Sequence, residues 1–479
     1  MLHAASRRLF LAKFGCGFGA LALEAMQAQA APPAVALDPA FPLRTRLPHV
    51  APKAQRVIFL FMVGGPSSMD TFDYKPELQK RGGQKVPGTL RKTVEKTRFA
   101  NIFHGCKDEL LASPYRFKPY GRSGLMVSSL FEHTAAHADD LCIIHSMQAN
   151  SNNHAPASIQ MHTGEITGGK ASLGSWVTYG LGTENQNLPG YVLLFDAGPL
   201  GGATNYSNGF LPAAFQGTRL RDQGAPMLDL LPPPGFAASQ EQTFAALREW
   251  NKLHRASRPG FTDLDARIAS YELAYRMQAS ALEVGDLESE SLSLRERYGC
   301  NHGNKETAAF ARKCLMARRL AERGVRFVQL YDMAEKDGWD AHDKLKANHD
   351  KHALVVDQPI GALLGDLKER GLLESTLVIW ASEFGRTPMT QGNAGRQHNA
   401  AGFTIWMAGG GVKPGLRYGA SDELGLMAVD RPVQFRDLHA TILSLLGLEF
   451  EKLHFETDGR LERLTGVQNQ AHVIRDMIA

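Results

Sequence analysis

At 479 residues, 43% hydrophobic and 21% charged, the chain is long enough for one large α/β domain with insertions or for two ordinary domains. A formal charge of +4 is spread along the sequence rather than concentrated, so no nucleic-acid partner is expected. There is no internal repeat and no low-complexity tract.

The first segment, "SRRLFLAKFGCGFGALALEAMQAQA", pairs Arg7 with Arg8 ahead of Phe10, Leu11 and Lys13, continues through a weakly apolar run, and ends in Ala28-Gln29-Ala30. A basic start, an apolar middle and a small-residue cleavage site make a twin-arginine leader over residues 1–30. The expected partner is the twin-arginine export machinery, and the expected location is periplasmic or extracellular. The apolar run is too short to span a bilayer comfortably, so no stable membrane span is expected after cleavage. Cys16 sits among glycines and phenylalanines, which is not a lipoprotein context. Cys106, Cys142, Cys300 and Cys314 remain; without CxxC spacing they exclude a zinc ribbon, and one disulfide is conceivable.

Residues 31–52 hold several prolines and no periodicity and read as a linker; the domain is expected over 53–479. "RVIFLFMVGGPSSMDTFDYKP" gives a strand at Val57–Val63, a Gly-Gly-Pro turn, and then Asp70 and Asp73. A second apolar piece, "LCIIHSM", precedes "NSNNHAPASIQMHTG", polar first and then helical. Residues 191–236 look loop-rich. From 237 to about 322 the pattern is helical and charged, as an insertion either within the layer or capping it. "VRFVQLYD" is another buried strand and leads to Asp337, Asp340 and His342; a helix at roughly 353–370 follows. Thr376–Trp380 is a buried strand ending in Ser382-Glu383-Phe384-Gly385-Arg386; "FTIWMAGGGV" is a further strand, and "FRDLHATILSLLGL" a closing helix. Strands alternating with helices predict a largely parallel sheet sandwiched between helices.

Five loops at strand ends carry ligand-type residues: Asp70 and Asp73; Asn152, Asn153 and His154; Asp332, Asp337, Asp340 and His342; Glu383 and Arg386; and His398 in "GRQHNAAG". Ligands in α/β folds collect at the carboxyl ends of strands. Carboxylates with imidazoles suit Zn²⁺ or Mn²⁺; carboxylates alone suit Ca²⁺ or Mg²⁺. Each residue also has a plain structural reading. Asp70 and Asp73 can cap a helix, His154 can be a satisfied histidine near a helix start, and Glu383 with Arg386 can form a rim ion pair worth little. His349, His352 and His439 are assigned to helix surfaces or core.

The motifs "FMVGGPSSMDTFDYKP", "NNHAPASIQMHTG", "GWDAHD", "ASEFGRTP" and "GRQHNAAGF" together resemble the exported family known as domain of unknown function 1501, and, more broadly, the alkaline phosphatase and sulfatase superfamily. The resemblance implies an alkaline-phosphatase-like core and a divalent metal ion held by Asp70, Asp340, His342, Glu383 and His398, with Asp73 as second choice to Asp70. It puts His154 near the nucleophile position, with Asn153 as a hydrogen-bond donor, Arg386 as the binder of an anionic oxygen and Ser151 as the nearest hydroxyl. Phe384 stands where the superfamily has a metal-binding histidine, and no hydroxyl or thiol aligns with the nucleophile. The implied substrate is an anionic phosphate or sulfate ester. Three routes stay open: a metal-bound water, a histidine or serine nucleophile, or a non-catalytic binding or scaffold protein that keeps the fold.

Overall fold

The computed structural model describes residue 37 and residues 41–479, apart from 225, 228–229, 233–234, 259–261, 333–337 and 468–469. The expected leader, much of the 31–52 linker and Asp337 therefore lie outside the described residues. The described end of the linker runs against the domain: the Arg46 N–H donates to the Leu181 carbonyl at 2.9 Å, and that of Val50 to Gly447 at 3.1 Å.

Strand β1 (Arg56–Met62) shows why the sheet forms. Val57, Phe59 and Phe61 enter one buried cluster, while Ile58, Leu60 and Met62 enter the other. A strand apolar on both faces must lie at the centre of a covered sheet. The other members are β2 (Leu141–Gln148), β3 (Tyr191–Leu194), β4 (Thr218–Leu220), β5 (Phe327–Asp332), β6 (Thr376–Ala381), β9 (Phe403–Ala408), β10 (Leu416–Tyr418) and β11 (Val433–Gln434). Among the described residues they make a nine-stranded sheet in the order β10-β2-β9-β6-β1-β5-β3-β4, with β11 beside β2. Every pairing is parallel except those of β9, which runs against both β2 and β6. The fold is the expected mixed α/β sandwich.

Helix α1 (Gly88–Glu95) lies between β1 and β2 in the chain; one face of the sheet is covered by α2 (His154–Thr163), α3 (Leu173–Leu181) and α9 (Phe435–Leu445), the other by α7 (Lys305–Glu322) and α8 (Leu345–Glu369). The expected helical block at 237–322 is divided in role. Its last helix, α7, buries Phe310, Cys314 and Leu315 in the layer, whereas α4 (Gln240–Ala256) buries nothing; α5 (Thr262–Gly285) and α6 (Leu292–Tyr298) lie between them. Strand β3 falls in a stretch that reads as loop because it is only four residues long. The four cysteines are free thiols, and no described helix is long and apolar enough to cross a membrane.

Because β9 is antiparallel to β6, the end of β6 and the start of β9 meet at one edge. The hairpin of β7 (Gly385–Gln391) and β8 (Gly395–Asn399) bridges them there. The same edge receives the loops leaving β1, β2 and β5. All five ligand-rich loops open on this edge.

Candidate functional site

The chain leaves β1 through Gly64 and Gly65, at φ 105° and 73°. A Cβ on Gly65 would stand 2.9 Å from the Phe384 ring, so only glycine fits both the backbone and the space. The turn is laced to the end of β6. The Gly64 N–H donates to Glu383 Oε1 at 2.9 Å, and the Gly65 N–H to Ser382 Oγ at 3.1 Å. Arg386 Nε donates to the Gly65 carbonyl at 2.8 Å and Nη2 to that of Gly64. An acid, a glycine and an arginine thus follow the strand because they clamp the neighbouring turn.

Asp340 is the hub. His342 Nε2 lies 3.0 Å and His398 Nε2 3.2 Å from its Oδ1, and His154 Nε2 lies 3.2 Å from its Oδ2. Arg386 Nη2 reaches Oδ1 at 2.6 Å. The other nitrogen of each ring is committed elsewhere: His154 Nδ1 to Glu383 Oε1 at 2.5 Å, His398 Nδ1 to the Asn152 carbonyl at 2.7 Å, and His342 Nδ1 to Gln391 Oε1 at 2.5 Å. A carboxylate and a backbone carbonyl only accept, so Nδ1 of His154 and of His398 carries the proton. Their Nε2 lone pairs then point at a carboxylate, an arrangement that repels unless a cation stands among them. His154 Nε2 is buried and makes no hydrogen bond, although the carboxylate is close.

The cluster is one that could hold a metal ion. One ligand atom from each of His154, Asp340, His342 and His398 lies within 4.8 Å of the others. Tetrahedral bonds of about 2.0–2.2 Å set ligand atoms about 3.3–3.6 Å apart, so the side chains would have to close by up to about 1 Å on an ion. Imidazoles whose second nitrogen is held by a carboxylate or carbonyl are the usual outer support of metal-binding histidines. In the metal-free protein a proton stands in: burial opposes charge on His154, but the Asp340 and Glu383 carboxylates outweigh it and raise its pKa to about 9. Burial dominates at His398 and lowers it to about 4. Burial works against the charge of Asp340, yet the three imidazoles and Arg386 hold it far below the ordinary carboxylate range.

The structure brings together Asp340, His342 and His398 and adds His154, which the sequence reading places near the nucleophile position. Asp70 is not among them. It is fully buried, takes Arg396 Nε on Oδ2 at 2.7 Å and Nη2 on Oδ1 at 3.3 Å, and bonds to Ser67 Oγ. Its charge is spent on a buried ion pair that fixes the hairpin. Asp73 is likewise occupied, by Lys75 at 3.1 Å and Ser421 at 2.7 Å. Glu383 stands behind His154 instead of offering an atom to the cluster, since Gly64, Ser382 and His154 take both its oxygens. Arg386 is 0% exposed, and besides Asp340, Gly64 and Gly65 it donates to the Arg396 carbonyl at 3.3 Å. It has no arm left for an anion from solvent. Ser151 Oγ accepts from the Asn153 N–H at 3.0 Å in the turn before α2, and Asn153 is exposed at the N-cap.

Two further residues matter. Phe384 packs its ring 4.7 Å from that of His154 and 4.6 Å from that of His398, walling the site with apolar surface. Gln391, which no motif marks, orients His342; the only signal for it was its place at the end of a strand beginning with Gly385. His349, His352 and His439 are buried, with His349 Nε2 accepting from the Ser67 N–H at 3.0 Å.

The sequence profile of a family described as a protein of unknown function, DUF1501, matches residues 54–478. The chain belongs to that family. No curated protein matches the sequence. Among solved structures, similarity is found to the alkaline phosphatase of the Antarctic bacterium TAB5, at 12% identity and TM-score 0.34, over 78% of this chain and 96% of that one. A sulfatase from Pseudoalteromonas sp. is similar at 13% identity and TM-score 0.34, over 84% of this chain and 68% of that one. A lipoteichoic acid synthase from Listeria monocytogenes is similar at 8% identity and TM-score 0.33, over 89% of this chain and 79% of that one.

Proposed function

We propose that this DUF1501 protein is an exported, metal-dependent hydrolase of phosphate or sulfate esters. One observation carries the metal reading: three imidazole Nε2 atoms and the Asp340 carboxylate face one point, with their outer atoms already committed. An imidazole-rich set favours Zn²⁺, Mn²⁺ or a similar transition ion over Ca²⁺ or Mg²⁺. The order of the sequence motifs supports the ester class, and the Arg7-Arg8 leader supports export. Bound at this point, a divalent ion supplies Lewis acidity to an ester oxygen or to water. Glu383 and Asn152 fix the tautomers of His154 and His398, Gln391 orients His342, Arg386 holds Asp340, and Phe384 keeps bulk water from the inner wall. His342, with 38% of its side chain exposed, marks the open approach.

The buried Arg386 and the absence of any hydroxyl among the four clustered side chains favour a second reading, a binding protein that retains the fold. Two measurements separate them: metal content of the purified protein, and turnover of aryl phosphate monoesters, diesters and aryl sulfates with Zn²⁺ or Mn²⁺. A metal-loaded, folded protein with no turnover of any member supports the binding reading.

A further inference from the structure

A cavity of about 270 Å³ opens between α2, the start of α9 and the chain after Leu464; Asn150, Gln160, Glu165, Arg436 and Thr465 are among its walls. None of the four clustered residues lines it. Its polar groups are short of acceptors. Gln160, 5% exposed, gives its Oε1 to the Asn150 N–H at 2.9 Å, while its Nε2 donates to no acceptor among the described residues. Asn150 spends its Oδ1 on Arg98 and likewise leaves Nδ2 without an acceptor among them. A buried donor without a partner is costly, and the arrangement is complete only when a ligand or water supplies the oxygen.

Two guanidiniums beside the cavity lack counter-ions. Arg436 Nη1 donates to Gln470 Oε1 at 2.7 Å. Arg98, exposed at the rim, reaches two wall residues: Nη1 to Asn150 Oδ1 at 2.6 Å and Nη2 to Gln434 Oε1 at 3.0 Å. All these partners are neutral amides, and among the described residues neither arginine forms an ion pair. The two charges are close enough to feel each other: partial burial, and then the Arg436 guanidinium, lower the Arg98 pKa. Of the described walls only Glu165 carries a carboxylate, and it pairs with neither arginine. Asp437, next to Arg436, has its oxygens taken by the N–H groups of Gln434 and His472.

We propose that this cavity binds an oxyanion, the terminal group of a phosphate, sulfate or carboxylate ligand, held by Arg436 and Arg98 and by the free amide donors of Gln160 and Asn150. Guanidinium forks match such oxygens in pairs, and the amides add neutral donors. The site stands apart from the His154, Asp340, His342 and His398 cluster and does not depend on the hydrolase reading. It is larger than one tetrahedral anion, with room for about nine waters, so either a free ion or an oxyanion carried on a sugar-sized molecule fits.

Titration calorimetry of the full chain in chloride buffer at pH 7 tests this with inorganic phosphate and glucose 6-phosphate. One equivalent of either is expected to bind, and the tighter of the two identifies the source as free ion or sugar-borne group. Binding should persist in Asp340→Asn. It should weaken about tenfold or more in Arg98→Gln and in Arg436→Gln, the scale of one charged hydrogen bond. Glu165→Gln removes the opposing carboxylate and should bind at least as tightly as wild type, which a misfolded variant would not. The proposal is overturned by no binding of either probe at millimolar concentration, by unchanged affinity in either arginine variant, or by weaker binding in Glu165→Gln. Binding lost in Asp340→Asn also overturns it, since the anion then sits at the cluster.

Discussion

Glu383 Oε1 lies 2.5 Å from His154 Nδ1, and the same oxygen accepts from the Gly64 N–H at 2.9 Å. One carboxylate therefore ties the end of β6 to the turn after β1 and sets the ring of a residue from a third loop. Glu383→Gln keeps an oxygen acceptor for His154 but removes the charge that raises the basicity of the ring. Metal affinity should fall about 10- to 100-fold, as for other outer-sphere partners of metal-binding histidines. Competition with a chelating dye reads this directly, and an unchanged affinity would show that Glu383 does not support His154.

Asp70 and Asp340 should separate cleanly under the same substitution. Asp340→Asn removes the carboxylate on which the three rings converge and should abolish stoichiometric metal; Arg386 loses its ion-pair partner but keeps the Gly64, Gly65 and Arg396 carbonyls, so the loss of stability should be smaller than for Asp70→Asn. Asp70→Asn strands the Arg396 guanidinium in the interior, a change that costs about 3–5 kcal/mol for a buried pair. Chemical denaturation and metal analysis, run on both variants, check the contrast. Loss of metal from a folded Asp70→Asn protein would return Asp70 to the ligand set.

The pH dependence of the metal-free protein has a definite sign. His154 is raised to about 9, so its stabilising protonation is full below its unfolded value near 6.5 and is lost as pH rises toward 9. His398, lowered to about 4, is charged in the unfolded chain first, so stability also falls as pH drops from about 6.5 toward 4. Maximum stability should lie near neutrality. Metal binding at pH 7 should release about one proton, from His154, and titration calorimetry in buffers of different ionisation enthalpy counts it. Zero release would mean that His154 is not displaced by the ion.

Much of this was legible in the sequence. β1, β2, β5, β6 and β9 announce themselves as apolar runs, and their order predicts the sheet and the edge where Asp340, His342 and His398 meet. Where the structure gives candidate residues other partners, the physical cause is common. Asp70 reads as a ligand because its partner, Arg396, comes from a hairpin 326 residues away, and no local pattern shows that pairing. Glu383, Arg386 and Gln391 have side chains of the kind that contact ligands, but their atoms are spent on neighbouring loops. Hydrogen-bond commitment is a tertiary property, and it separates residues that bind from residues that hold.

Export can be tested apart from chemistry. With Arg7 and Arg8 replaced by lysine, full-length precursor should accumulate in the cytoplasm, while the wild type should yield a chain starting at or near Ala31. N-terminal sequencing of the fractionated protein reads both outcomes, and normal processing of the double variant would count against the twin-arginine route.

The last prediction concerns the nucleophile. Ser151 lies in the turn before α2 with its Oγ accepting from the Asn153 N–H. His154 has Nδ1 occupied by Glu383 and Nε2 facing the cluster, so neither nitrogen is free to attack a substrate once a metal is bound. On the hydrolase reading proposed above, a water activated at the cluster would then be the attacking group, with no covalent enzyme intermediate. Ser151→Ala should therefore keep turnover within about threefold of wild type. His154→Gln should lose metal and turnover together, not turnover alone. Rapid mixing of a metal-loaded sample with an aryl diester should show no burst of aryl alcohol, because a burst reports an accumulating covalent species. A stoichiometric burst abolished by Ser151→Ala would instead assign the attack to the serine hydroxyl and make the turn before α2 part of the reacting site.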